Sequence, residues 1–221
     1  MAFDIYQLDQ LDDRDDEAME AFAEEIIELF SASPEGQAHR KVAPGMGFWA
    51  GQLIDYGYIY CGVTLPEMAV PDVVELLSDI FPRKITLSSP DDADAAIPEL
   101  IAFWAYLERE YQLPEAKPIL RYLRDLPPDE FKSWMMDPSR FGMAKSFMMG
   151  GRAAGFDMTD PAGQTAFATL YNASKLAYEG DIVGLLQSTD QPAGRSKKAS
   201  LKTKRTRKLV KASRKKNRKR K

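Results

Sequence analysis

The sequence predicts an all-α fold: one globular domain of about seven to nine helices, followed by a disordered basic C-terminal tail. Three observations carry this expectation. Apolar residues recur at helical spacing in one segment after another of residues 1–190. Proline repeatedly follows a capping Ser or Asp, at the first helical position where its missing N–H costs nothing. Only Lys84 to Leu87 looks strand-like, and so short a lone strand cannot satisfy its backbone.

The first element is expected from Asp12 to Phe30. Ala18, Phe22, Ile26 and Leu29, with Ile27 and Phe30 alongside, form its apolar stripe, and nine acids between Asp12 and Glu28 form a strongly negative outer face. Ser31 to Gly47, broken by Pro34, Gly36, Pro44 and Gly45, reads as a loop. Trp49, Leu53, Tyr56 and Tyr60 step as one helical face, predicting a helix from about Gly47 to Cys61. Thr64, Pro66 and Glu67 read as a turn or a short helical start. Val73, Leu76, Leu77 and Ile80 predict the next helix, closed by Pro82.

Ser89-Pro90-Asp91-Asp92 is the clearest helix start, with Ser89 capping and Asp92 answering three residues later. The stripe Ile97, Leu100, Ile101, Trp104 and Leu107 then carries a long helix through Ala93 to Tyr111. A shorter helix spans Pro118 to Leu123 and stops at Pro127-Pro128. Further helices are expected over Asp129 to Met136, Ser139 to Ala154 and Ala162 to Tyr178, with Leu185 and Leu186 in a final turn. Residues 191–194 are the linker, and residues 195–221 the tail.

Charge divides the chain at the same place. Of the 30 Lys and Arg residues 16 lie in residues 195–221, where there is no acid. That leaves 14 basic against all 33 acidic residues for residues 1–194, a net charge of −19, and all 23 aromatic residues lie there too. The tail's only sizeable apolar residues are Leu201, Leu209 and Val210, too few to repay the entropy of ordering.

Such a strand binds polyanions by neutralising phosphates and releasing counterions, whatever the base sequence. The candidate nucleic-acid-binding residues are therefore Arg195, Lys197, Lys198, Lys202, Lys204, Arg205, Arg207, Lys208, Lys211, Arg214, Lys215, Lys216, Arg218, Lys219, Arg220 and Lys221. With no aromatic among them, base stacking is excluded. The same residues also admit a nuclear localisation signal in a eukaryote, a membrane-surface patch lacking an apolar face, or a solubilising or acidic-partner tail. A tail of this length reaches up to roughly 90 Å when extended, while screening acts over about 8 Å, so it can hold phosphate while the acidic body stands off.

Several chemistries are excluded or weakened. One cysteine, Cys61, permits no internal disulfide, and one histidine, His39, leaves no Cys/His metal site within a chain. Flanked by Arg40 and Lys41, His39 reads as a solvated loop residue. Gly142-Met143-Ala144-Lys145-Ser146 lacks the Gly before Lys that a phosphate-binding loop requires. Gly45, Gly47 and Gly51 miss the dinucleotide spacing. Asp91, Asp92 and Asp94 read as helix capping rather than a calcium loop. No catalytic residue, metal or cofactor is assigned.

The N-terminus turns acidic at once, without the basic and apolar regions of a secretory signal. With no long apolar run either, the expected location is cytoplasmic, or nuclear in a eukaryote, with no membrane partner. Residues 131–158 hold six of the ten methionines, and Phe141, Met143, Phe147 and Met148 are a candidate partner groove. The functional expectation is a non-enzymatic binding or adaptor protein, tethered by its tail to nucleic acid or a ribonucleoprotein such as the ribosome. The alternative is an enzyme or small-molecule-binding domain with a carboxylate- or lysine-based site, the tail serving only localisation or solubility.

Overall fold

The computed structural model describes residues 3–11, 15–41, 43 and 45–186, with side chains through residue 173 except at position 128. The expected tail lies outside the described residues. Among those described there are nine helices and no strand, and no helix is long and apolar enough to cross a membrane. Among the described residues, those up to Gln164 form one compact unit, and those from Thr165 to Leu186 belong to a second.

After a 3₁₀ turn, Gln7–Gln10, helix α1 spans Asp16–Ala32. Asp15 caps it, its Oδ1 accepting from Glu17 N at 3.1 Å and Ala18 N at 3.0 Å. Its buried stripe is Met19, Phe22, Ala23, Ile26 and Phe30. The chain then turns sharply into α2, Pro34–Arg40, where a loop was expected. Ser33 makes the corner: its Oγ donates to Phe30 O at 2.7 Å and accepts from Gly36 N at 3.1 Å. Gly36 is required there, since a Cβ would lie 2.1 Å from Phe30 O.

Helix α3 spans Phe48–Tyr56 and runs on through a π-helical turn, Gly57–Cys61. A 3₁₀ turn, Leu65–Glu67, precedes α4, which begins as Val70–Glu75, widens into a π turn at Leu76–Ile80 and continues as Phe81–Lys84. Pro82 therefore sits inside α4 instead of ending it. Proline cannot donate to the carbonyl four residues back, and that carbonyl, of Ser78, accepts instead from Arg140 Nη1. Lys84 to Leu87 forms no strand.

Ser89 and Asp92 make the expected capping box, Asp92 Oδ2 accepting from Ser89 N at 2.8 Å. It opens a 3₁₀ stretch, Pro90–Ala95, that feeds α5, Ala96–Tyr111. Helix α6, Ala116–Asp125, packs back on α5 through Ile119, Leu120 and Leu123. Helix α7 spans Pro128–Met136, and a capped 3₁₀ turn, Pro138–Arg140, follows. The helix expected from Ser139 to Ala154 is broken at Phe141-Gly142, and α8 begins only at Met143–Ala153. Gly142 N donates to Arg83 O at 3.1 Å, and a Cβ there would approach that oxygen to 2.7 Å. Helix α9 spans Pro161–Leu186, longer than the periodicity implied.

One apolar core joins α1, α3, α4, α5, α6 and α7. Trp49, Phe81 and Phe131 meet edge-on or tilted at one end, with Trp49 and Phe131 centroids 5.4 Å apart. Phe30 and Phe103 meet at 5.3 Å at another point of the core. Edge-to-face pairs of this kind add about 1 kcal/mol each to simple burial.

Candidate functional site

The ionisable groups of the body were the alternative source of chemistry, and the buried ones among them, Glu99, His39 and Lys145, sit within the packing of the helices. Helix α3 starts at Gly47, whose φ of +102° suits glycine and which has no side chain to cap with. Glu99, from α5 and fully buried, caps in its place: its Oε1 accepts from Ala50 N at 2.8 Å. Burial raises the Glu99 carboxyl above the usual range, while the amides of Ala50, Gly47 and Trp49 pull the other way. Its Oε2 has no partner among the described residues.

His39 belongs to α2 and is only 6% exposed, which corrects the expectation of a solvated loop residue. α2 lies against α5 and turns this face inward. Burial lowers the imidazole below its ordinary value, which favours the neutral form, and Nε2 has no partner among the described residues. Among the described residues no three His, Cys, Asp or Glu side chains gather to hold a metal.

Lys145 is the most unusual of these groups. It lies on α8 and is 3% exposed, yet its Nζ donates to Pro82 O at 3.0 Å and Met135 O at 2.9 Å. Those carbonyls lie in the last turns of α4 and α7, where acceptors are left without an intrahelical donor and the helix dipole favours a cation. Phe141 covers the ammonium at 4.2 Å from its ring centroid. Burial pulls the amine down to about 8. A lysine facing two carbonyls is oriented against phosphate, the reverse of the phosphate-loop role.

The four candidate groove residues lie around this lock. Phe141, Phe147 and Met148 are half-buried, and Met143 is 92% exposed. The cavity on this part of the body, about 180 Å³, is instead lined by Leu87, Pro90, Met135, Met136, Met149 and the stems of Lys145 and Arg152, with Ser88. Gly151 allows a close approach, since a Cβ there would meet Met158 Sδ at 2.1 Å.

Most of the body's described cations are engaged. Arg109 holds Glu35 at 2.7 Å and also Glu110, and Lys132 bridges Asp91 and Asp94 at 2.9 Å each. The acidic cluster considered for a metal thus caps a helical turn and binds a lysine. Arg83 pairs with Asp79, Lys117 with Glu108 and Arg140 with Asp137. Arg152 donates to Leu87 O, and Lys84 lies over Tyr60. The exceptions among the described residues are Arg40 and Lys41 at the end of α2 and Arg121 and Arg124 on α6, all exposed.

No protein-family model matches the chain, and the comparisons with curated proteins and with solved structures yield no similar protein. Function must therefore be argued from the residues themselves. The sixteen basic candidates of the tail lie outside the described residues. The engaged cations of the body were not legible beforehand, because each ion pair joins residues distant in sequence or depends on which helix face is exposed.

Proposed function

We propose that this protein is a non-enzymatic binding or adaptor module, tethered to nucleic acid or a ribonucleoprotein by residues 195–221 through phosphate contacts indifferent to base sequence. The observation that carries this reading is the segregation of charge, 16 cations and no acid in the tail against a net charge of −19 before it. The pairing of the body's cations supports it: Arg83, Arg109, Lys117, Lys132 and Arg140 would each have to leave an acid to meet a phosphate. With Arg40, Lys41, Arg121 and Arg124 the exposed unengaged cations among the described residues, the sixteen of the tail carry most of the charge able to neutralise a polyanion, in the cytoplasm or the nucleus. Sedimentation of a cell extract in low salt tests this. The full-length protein is expected to pellet with ribosomes or nucleoid and to be released by nuclease, while protein lacking residues 195–221 stays in the supernatant. Equal pelleting of the two would sink the reading.

A small-molecule role has one observation in its favour, the methionine-lined cavity of about 180 Å³ beside Lys145. It is small beside the roughly 300–1,000 Å³ of drug-sized ligand sites. The buried Glu99 and Lys145 side chains are also turned to main-chain partners. Thermal stabilisation by a small apolar compound, undiminished by Met149→Ala, would exclude this cavity as its site.

A further inference from the structure

Helix α1 bears six acids, Asp16, Glu17, Glu20, Glu24, Glu25 and Glu28, all exposed, and no Lys or Arg. Elsewhere on the body several acids are matched: Asp79, Glu35, Glu108, Asp91 and Asp137 each face a cation. Glu17, Glu20, Glu24, Glu25 and Glu28 have no ion pair among the described residues. Their field reaches neighbouring groups. After burial, Glu20 is the next cause that raises the Asp55 carboxyl, and Glu25 contributes to raising the Tyr111 phenol.

Beside this face lies an apolar groove of about 270 Å³ between α1 and the turn Gln7–Gln10, walled by Leu8, Leu11, Ala18, Ala21 and Phe22 with Glu25 at its rim. Leu11 is 40% exposed there. Helical spacing sets Glu17, Ala21, Glu24 and Glu28 in one row along the groove. A volume equal to about nine waters accepts one or two aliphatic side chains, and the row of carboxylates suits cations spaced along the same segment.

We propose that this groove docks a Lys/Arg-rich, leucine-bearing segment of a second protein. The proposal rests on the tethering reading for where that partner is met. A tail held on phosphate brings the acidic body among the basic proteins that share the same polyanion, while the phosphate itself is repelled from α1. Opposite charge then steers the encounter, and the apolar groove sets the register.

The test is fluorescence anisotropy of a labelled synthetic 16-residue Lys/Arg peptide carrying two leucines, titrated with the full-length protein. Saturable binding is expected, about tenfold weaker in the triple variant Glu17→Gln, Glu24→Gln, Glu28→Gln. Leu11→Ser should weaken it several-fold, whereas Asp125→Asn with Asp129→Asn should leave it unchanged. Circular dichroism confirms that the exposed substitutions preserve the helices. No saturable binding, or equal binding by all variants, overturns the proposal. So does a gain of tenfold or more when all sixteen tail Lys and Arg are replaced by Gln, because that result makes the chain's own tail the occupant. Oligonucleotide affinity measured on the same variants separates the two ideas. It should fall with the neutralised tail and not with the α1 variants; if tail neutralisation leaves it intact, tethering fails while the peptide result stands by itself.

Discussion

Lys145 gives the body's sharpest physical test. Burial holds its amine at about 8, against 10.5 for an ordinary lysine. The folded state therefore binds the proton less tightly than the unfolded state does. Below pH 8 both states are protonated and the full cost of the buried charge is present. Between 8 and 10.5 the folded protein has released a proton that the unfolded chain still holds, so stability rises with pH. A difference of 2.5 pKa units corresponds to about 3.4 kcal/mol, of which about 2.5 kcal/mol falls between pH 7 and pH 10. In Lys145→Met the side chain is one atom shorter, fills most of the same space and carries no titrating group. Other groups, among them Tyr106, Tyr111 and Tyr122, whose phenols are raised by burial, titrate in both proteins and cancel in the difference. Urea denaturation at pH 7, 8, 9 and 10 measures it. Relative to Lys145→Met, the native protein should gain about 2 kcal/mol from pH 7 to pH 10. A difference flat within 0.5 kcal/mol across that range would refute the argument, because it would mean that the two carbonyls and Phe141 fully offset desolvation.

Two further outcomes follow from packing. Gly36→Ala drives a Cβ to 2.1 Å from Phe30 O at the α1–α2 corner, a contact with main chain that no rotamer relieves. It should cost about 2 kcal/mol or more and lower Tm by several degrees, whereas Gly62→Ala, with open space but a φ of +68°, should cost about 1 kcal/mol. Brief peroxide treatment followed by mass spectrometry should oxidise Met143, 92% exposed, first, and Met135 and Met158, at 0% and 1%, last.

Much of the helical pattern was readable because the stripe that faces the core repeats at the helical period. Val73, Leu76, Leu77 and Ile80 and the row Leu100, Trp104 and Leu107 are buried as their spacing implies. The Ser89 capping box likewise follows from four consecutive residues. What stayed hidden depends on contacts between distant segments. α2 is a single short stretch with too few apolar residues to show a period, although Ser33-Pro34 repeats the cap-then-proline pattern seen at Ser89-Pro90. Pro82 marks a helix end only if its orphaned acceptor, Ser78 O, has no other donor, and Arg140 supplies one from 62 residues away in the chain. Gly142 looks like a permissive helix residue until Arg83 O is brought against it.

The candidate sites divide in the same way. Charge segregation needs only counting, so the basic run of residues 195–221 is legible in the sequence by itself. Glu99 and Lys145 gave no local signal. Each sits on an otherwise ordinary helix and acquires its role from a partner helix end, Gly47–Ala50 for Glu99 and the carbonyls of Pro82 and Met135 for Lys145. His39 was misread because the flanking Arg40 and Lys41 suggest solvent, whereas the helix turns the imidazole inward and leaves those cations outside.

The central claim is that phosphate affinity resides in residues 195–221 and is electrostatic. The direct measurement is the affinity of full-length and tail-deleted protein for a nonspecific DNA duplex across 50 to 200 mM salt. If six to ten phosphate contacts form, full-length affinity should fall roughly 10³- to 10⁵-fold over that range, with no detectable binding by the tail-deleted protein. Tail-deleted protein that binds the duplex with the same affinity and salt slope would contradict the account.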